Sequence, residues 1–358
     1  LRARRELANS LSAKLGQKSC VDRCYNIKWF YEMLMGTRLG FGLLGAPRVP
    51  EMVDIARRAE SLNYESIWVA ETRLTRDGIA PIAALAQATK KIKLATGIVN
   101  VYTRGPVLTA ITFATLDEIS AGRIIMGLGT GSPLVLSGQG VTFDKPLTRL
   151  REYVHVVQKI MHGDNVSFEG KTISVNNVQI EVVPVRKHIP LYLGVTGPKA
   201  LSLCGEIADG VMLNAFLPTN YVVRALGRIE EAAIRAGKNP NEVDIAGALV
   251  VSVDEDSRLA KDRVRPLIAL YLAMFPNIAQ ETELEDELIL ETRQAFQIEG
   301  IDKAALKISD EIVNHLTVAG TPNECKNRIA AYREVGLQLP LLFPIEDCIS
   351  YALETLRP

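Results

Sequence analysis

The stretch from Lys93 to Gly131, KLATGIVNVYTRGPVLTAITFATLDEISAGRIIMGLGTG, constrains the fold more than any other part of the chain. A strand pattern breaks into Thr96-Gly97-Ile98-Val99-Asn100, and a helix begins near Pro106. A second strand then breaks into Gly127-Leu128-Gly129-Thr130-Gly131. Two strands joined by one helix form a βαβ unit, with both loops on one edge of the sheet. Folds of this type build cofactor sites on that edge, so the stretch argues for an enzyme before any side chain is assigned chemistry.

The same alternation runs along the rest of the chain. Strand patterns at 38–44, 66–70, 191–194, 210–214, 244–251 and 339–343 are interleaved with helical patterns. Apolar runs of strand length that alternate with helices indicate parallel strands covered on the outside. Together with the two strands above, this predicts a (β/α)8 TIM barrel with insertions. An open dinucleotide-binding sheet is disfavoured, because Gly127-Leu128-Gly129-Thr130-Gly131 has the wrong spacing for GxGxxG and no early strand carries one.

Residues 36–358 read as a single barrel domain, with insertions near 132–146, 166–181 and 276–316. The first insertion suits a lid or binding loop, the second reads as a hairpin, and the third as part of a long helical region from Asp256 to about His315. Thr321-Pro322-Asn323-Glu324 has the N-cap, N1 proline and early acid of a helix start. Residues 1–35 are basic and without periodicity, and Met33 and Met35 stand just before the first strand. They read as an N-terminal extension, disordered or belonging to a start set too early.

Composition excludes several classes. The formal net charge is +0, with 41 basic and 41 acidic residues, so no electrostatic footprint points to nucleic acid or an anionic membrane. No apolar run approaches the roughly 20 residues of a membrane-spanning helix. Five cysteines, odd in number and without CxxC, read as free thiols in a reducing cytoplasm, and no zinc or other metal site is expected.

In a barrel the C-terminal strand ends converge on the site. Here they read Gly42-Leu43-Leu44, Glu71-Thr72-Arg73, Gly97-Ile98-Val99-Asn100, the Gly127–Gly131 loop, Gly194-Val195-Thr196-Gly197 and Asn214-Ala215-Phe216. Glycine at such ends lets a large planar ligand approach the backbone. The Gly194 loop runs into a helix near Pro198 with Lys199 in its first turn, which favours an anion such as phosphate. His155, His162, His188 and His315 fall on helices or connections, away from these ends. A cofactor-shaped rim without strong protein-borne chemistry points to a cofactor performing the difficult step.

Further segments carry a resemblance: Leu108 to Glu118 with Ile119-Ser120-Ala121-Gly122-Arg123, Lys145-Pro146-Leu147-Thr148-Arg149, Leu193 to Lys199, and Gly320-Thr321-Pro322 with Glu324-Cys325-Lys326. In their order and spacing, together with Gly97-Ile98-Val99-Asn100, they resemble the luciferase-like superfamily of flavin and deazaflavin oxidoreductases. Within it they resemble the F420-dependent methylenetetrahydromethanopterin reductase group.

The resemblance implies a non-prolyl cis peptide in a bulge at Gly97-Ile98, backing the ring of coenzyme F420. It implies that Asn100, Gly129, Thr130, Gly194, Val195, Thr196 and Gly197 line that cofactor. A cytoplasmic homodimer or larger homo-oligomer acting on a small-molecule substrate is also implied. The chain departs from the group at two positions: Gly42 stands where the reductase has a glutamate, and Thr72 where a histidine is common. Glu71, beside Thr72, is the candidate for proton transfer or cofactor contact, and Arg73, Arg76, Asp77, Tyr102 and Arg104 are candidates for substrate contact. Two alternatives stay open at this point: an FMN-dependent monooxygenase with a lid at 133–143, and a cofactor-binding protein without catalysis.

Overall fold

Parallel strands buried on both faces need apolar runs, and this chain supplies eight of barrel-forming length. The computed structural model describes residues 38–45, 47–71, 75–182 and 184–358; the 1–35 extension, Thr72 and Arg73 lie outside them. The strands are β1 (Gly40–Leu43), β2 (Ser66–Val69), β3 (Lys93–Thr96), β5 (Ile124–Gly129), β8 (Leu191–Val195), β9 (Gly210–Leu213), β10 (Asp244–Val253) and β12 (Leu339–Pro344). They pair in that order, all parallel, and β12 returns to β1, so the sheet closes into a barrel. The expected (β/α)8 architecture is what the chain adopts. The two-residue β4 (Val99–Asn100) adds to the edge of β5 beyond the end of β3.

Helices cover the outside. In α1 (Val49–Ser61) the buried residues Met52, Ile55, Ala56 and Ala59 recur at the spacing of one helical face. Its partners around the barrel are α2 (Ala80–Ala88), α3 (Pro106–Ser120), α5 (Pro146–Met161), α6 (Pro198–Ile207), α7 (Thr219–Arg235), α8 (Ser257–Met274), α13 (Pro322–Glu334) and α14 (Ile349–Thr355), with the short α4 (Pro133–Ser137) between β5 and α5. The start of α13 is a capping box: Glu324 N donates to Thr321 Oγ1, and Thr321 N donates to the Glu324 carboxylate at 2.7 Å.

The barrel interior is filled. Trp68 on β2 and Tyr192 on β8, which are not neighbouring strands, meet edge to face at 5.3 Å across it. Trp68 Nε1 donates to Ser66 Oγ at 2.9 Å, and the Tyr192 hydroxyl donates to Asp244 at 2.6 Å. This packed layer leaves room for a ligand only above it, toward the C-terminal strand ends.

The segment read as one long helical region is divided. Helix α8 stops at Phe275 before Pro276, and α9 (Pro276–Ala279), α10 (Asp286–Glu299), α11 (Ile301–Ala305) and α12 (Asp310–Leu316) follow. Proline at 276 cannot continue the ladder, and Gly300, at φ 91°, reverses the chain between α10 and α11. A short strand that the sequence reading missed, β11 (Val318–Gly320), pairs with β10. Antiparallel β6 (Val166–Glu169) and β7 (Ser174–Val178) form a separate hairpin.

Arg123, the last residue of Ile119-Ser120-Ala121-Gly122-Arg123, explains why that segment is so constrained. Its guanidinium donates to the carbonyls of Ala86, Thr89, Ile92 and Ser120 and to Thr89 Oγ1, at 2.7–3.1 Å. It therefore closes the end of α2, the approach to β3 and the end of α3 in one stroke. Arg123→Met would leave four carbonyls without this donor, and the expected loss is about 3–5 kcal/mol of stability. Urea denaturation checks it; a loss below about 1 kcal/mol would show that water replaces the guanidinium.

Candidate active site

A cavity of about 1240 Å3 opens at the C-terminal end of the barrel, lined by residues of β1, β8, β9, β10 and β12 and by residues just beyond β2, β3 and β5. The lining carries residues expected to hold a cofactor. The Gly97–Ile98 peptide is cis, as the resemblance implied. Ile98, Asn100, Thr130, Gly194, Val195, Thr196 and Gly197 line the cavity with Gly97.

The glycines are explained differently from the sequence reading. A Cβ on Gly194 would lie 2.9 Å from Ile98 Cγ2, and one on Gly129 would lie 2.8 Å from Ile98 Cδ1. Both glycines make room for the Ile98 side chain, and Gly194 also lines the cavity. Gly129 lies outside the cavity lining. Gly197 keeps the original reading, since a Cβ there would meet nothing within 4 Å. It is also the N-cap of α6, whose first turn receives no side-chain cap. A helix start without a side-chain cap beside a cavity suits an anionic group.

Asn100 is anchored by its own loop. Its Oδ1 accepts from Tyr102 N and Thr103 N, both at 3.0 Å, which leaves the amide nitrogen as the group it can offer the cavity. Thr196 is held from behind by the Tyr221 hydroxyl, which donates to its carbonyl at 2.6 Å.

Beside the Gly97–Asn100 bulge the wall is charged. Arg104 Nη2 lies 2.7 Å from Asp77 Oδ2 and 3.6 Å from Glu71 Oε1. Glu71 Oε1 also accepts from Gly78 N at 3.3 Å, while its Oε2 is buried and has no hydrogen-bond partner among the described residues. A carboxylate oxygen left alone at a cavity wall is a group awaiting a ligand. Burial works against ionised Asp77, but N–H donors at Ala80 and Ile79 and the charge of Arg104 hold its carboxyl below the ordinary value.

Of the expected substrate contacts, Arg76, Asp77 and Arg104 line the cavity, whereas Tyr102 does not. The Tyr102 hydroxyl donates to Asp144 O at 2.7 Å, and its ring packs on Phe143 and under Arg149. It fixes the 132–146 segment instead, and Pro133, Leu136 and Phe143 of that segment reach the cavity. None of the four histidines lines it.

The sequence reading missed the apolar wall. Phe343 at the end of β12 lies over Gly42, where a Cβ would come within 2.3–2.4 Å of three ring carbons. The position without a carboxylate on β1 is thus filled by an aromatic ring. Gly42→Ala must displace that buried ring and is expected to cost about 1–3 kcal/mol. Thermal denaturation of Gly42→Ala with and without Phe343→Leu checks this, because relief by the second change requires the two residues to be in contact. Phe216, Tyr271 and Phe275 continue this wall. Only Phe216 carried a signal in the sequence, as part of the strand end 214–216.

Comparison with known proteins agrees with this geometry. Residues 32–339 match the model of the luciferase-like monooxygenase family. The chain belongs to that family. A luciferase-like relative, 5,10-methylenetetrahydromethanopterin reductase of Methanolobus tindarius, is 31% identical over 302 residues, covering 83% of this chain and 91% of the relative. The F420-dependent glucose-6-phosphate dehydrogenase of Mycolicibacterium gilvum is 27% identical over 308 residues, covering 82% and 86%. Among solved structures, the coenzyme F420-dependent tetrahydromethanopterin reductase of Methanopyrus kandleri superposes with a TM-score of 0.80 at 26% identity, covering 89% of this chain and 98% of that one. Luciferase-like relatives therefore include F420-dependent oxidoreductases of more than one substrate class. Among the described residues no helix is long and apolar enough to cross a membrane, and no cluster of side chains is fit to hold a metal.

Proposed function

We propose that this chain is an F420-dependent oxidoreductase that moves a hydride between the deazaflavin and a small organic substrate. The observation that carries the reading is one cavity that joins Asn100, Thr130 and the Gly194–Gly197 turn to Glu71, whose Oε2 has no partner among the described residues. A planar, anion-bearing cofactor fits at the Gly194–Gly197 turn, because Gly197 is open and the α6 N-terminus lacks a side-chain cap. Bound there, a deazaflavin supplies a ring carbon that gives or takes hydride without activating oxygen.

The residues of the chain do the rest. Ile98 backs the site on its glycine bed, Asn100 offers its amide nitrogen, and the Thr196–Gly197 turn holds the anionic end. Glu71 holds or releases the proton at Oε2, and Arg104 and Gly78 N fix the other carboxylate oxygen. The identity of the substrate, pterin or otherwise, is left by this reading to the charged and aromatic residues of the lining. A cytoplasmic homodimer or larger homo-oligomer belongs to the same proposal, and light scattering of the purified protein reads the assembly.

A second reading, an FMN-dependent monooxygenase, is favoured by one feature. The 132–146 segment puts Pro133, Leu136 and Phe143 against the cavity, as a lid that shields a site from water would. Anaerobic assay separates the two. Substrate-dependent bleaching or recovery of F420 absorbance without oxygen is expected, and turnover that requires both oxygen and reduced FMN would overturn the first reading. Cofactor binding without any hydride exchange across a broad substrate panel would reduce the chain to a binding protein.

A further inference from the structure

The cavity sorts its walls by chemistry. Val250 on β10 and Phe343 on β12 are almost wholly buried and form part of its floor. The rings of Phe216, Tyr271 and Phe275 also line it and pack on one another, with centroids 4.4 and 4.8 Å apart. An aromatic run of this kind presents a large apolar area with little side-chain freedom to lose.

Two cations line the cavity, Arg76 in the loop after β2 and Arg104 in the loop between β4 and α3, and they differ. Arg104 is taken up by Asp77 and Glu71. Arg76 has no hydrogen bond or ion pair among the described residues, and its Nε is shut off from solvent without a partner. Its remaining electrostatic influence is a small pull on Glu51, whose carboxylate is already held by Arg48. Exposed Glu346 also lines the cavity. The loop after β2 abuts the one leaving β1, since a Cβ on Gly45 would lie 2.1 Å from Thr75 Oγ1 and 3.6 Å from Arg76 N. Arg76 therefore stands at the side of the mouth above β1, the strand against which the Phe343 ring lies.

We infer that the substrate is a hydrophobic acid, with an apolar body on the Phe343 and Phe216–Tyr271–Phe275 wall and one carboxylate or phosphate paired with Arg76. The inference rests on the oxidoreductase reading for what the cavity is, and it adds the substrate class. A guanidinium held at a cavity wall without a partner gains a bidentate, charge-assisted pair when such an anion enters. The apolar wall gains from each methylene taken out of water.

Calorimetric titration of the full chain, both free and loaded with F420, tests the inference with hexanoate, octanoate, 2-octanone and glucose 6-phosphate as probes. Octanoate is expected to bind on the order of tenfold more tightly than hexanoate, from two further methylenes. It is expected to exceed 2-octanone by at least about tenfold, from the charged pair. Arg76→Gln should erase the advantage over 2-octanone, Arg76→Lys should keep part of it, and F420 affinity should stay as in the unaltered protein. Phe275→Ser should flatten the dependence on chain length. Tighter binding of glucose 6-phosphate than of octanoate would overturn the hydrophobic assignment. Loss of F420 binding in Arg76→Gln, with octanoate unaffected, would give Arg76 to the cofactor and overturn the anionic one. Failure of the unaltered chain to bind F420 would sink the oxidoreductase reading alone, since the probe series on the free protein still decides the substrate class.

Discussion

Glu71→Gln is expected to lower kcat by about 100–1,000-fold, the usual share of a positioned proton-transfer group. The amide keeps the shape of the side chain and can still accept from Gly78 N, so F420 affinity should change little. What it loses is a carboxylate oxygen that can take or give a proton at the cavity wall, where Oε2 has no partner among the described residues. Single-turnover kinetics separate the two quantities. An unchanged kcat would remove Glu71 from the chemistry, and a parallel loss of F420 binding would make it a cofactor contact instead.

The largest effect on stability is expected at Gly127. A Cβ there would sit 1.8 Å from the carbonyl oxygen of Thr96, a backbone atom that cannot swing aside. The two residues are also tied by reciprocal bonds: Thr96 Oγ1 donates to Gly127 O at 2.7 Å, and Gly127 N donates to Thr96 Oγ1 at 2.9 Å. Gly127→Ala must push β3 from β5 and break both. A loss of about 4 kcal/mol or more, roughly 10 °C in the melting temperature, is expected. The same displacement would move the Gly97–Ile98 bulge directly beyond Thr96, so F420 affinity should fall as well. A variant that melts within about 2 °C of the unaltered protein would mean that the strands separate freely here.

The barrel was legible because its cause is local. Short apolar runs between helical patterns have few other solutions, and the boundaries of α6 and the start of α13 follow from Gly197-Pro198 and Thr321-Pro322-Asn323-Glu324. Glycine at the strand ends was also visible, but its purpose was not. Whether Gly129 and Gly194 face a ligand or Ile98 depends on how β5 and β8 are staggered against the bulge, and that register is not written in any one strand. The same holds for Gly42, whose partner Phe343 lies 301 positions away and meets it only because β12 closes on β1.

Tyr102 misled for a related reason. A tyrosine in a mouth loop is as suited to bind a loop carbonyl as a substrate, and here Asp144 O claims it. Helix α8 gave no signal that Tyr271 and Phe275 would reach the site, since an aromatic near a helix end reads as core. The charged wall was half visible. Glu71, Arg76 and Asp77 are close in sequence, but Arg104 lies 27 positions beyond Asp77, and which cation is spoken for emerges only from their 2.7 Å contact.

The central claim is that the Gly97–Ile98 bulge, Asn100 and the Gly194–Gly197 turn hold a deazaflavin. Titration of the purified protein with F420 and with FMN, followed by cofactor fluorescence, tests it most directly. Saturable binding of F420, with FMN bound far more weakly or not at all, is the result the account requires. Tight binding of FMN alone would move the chain to the flavin monooxygenases, and binding of neither would leave the glycine-rich rim without the role assigned to it.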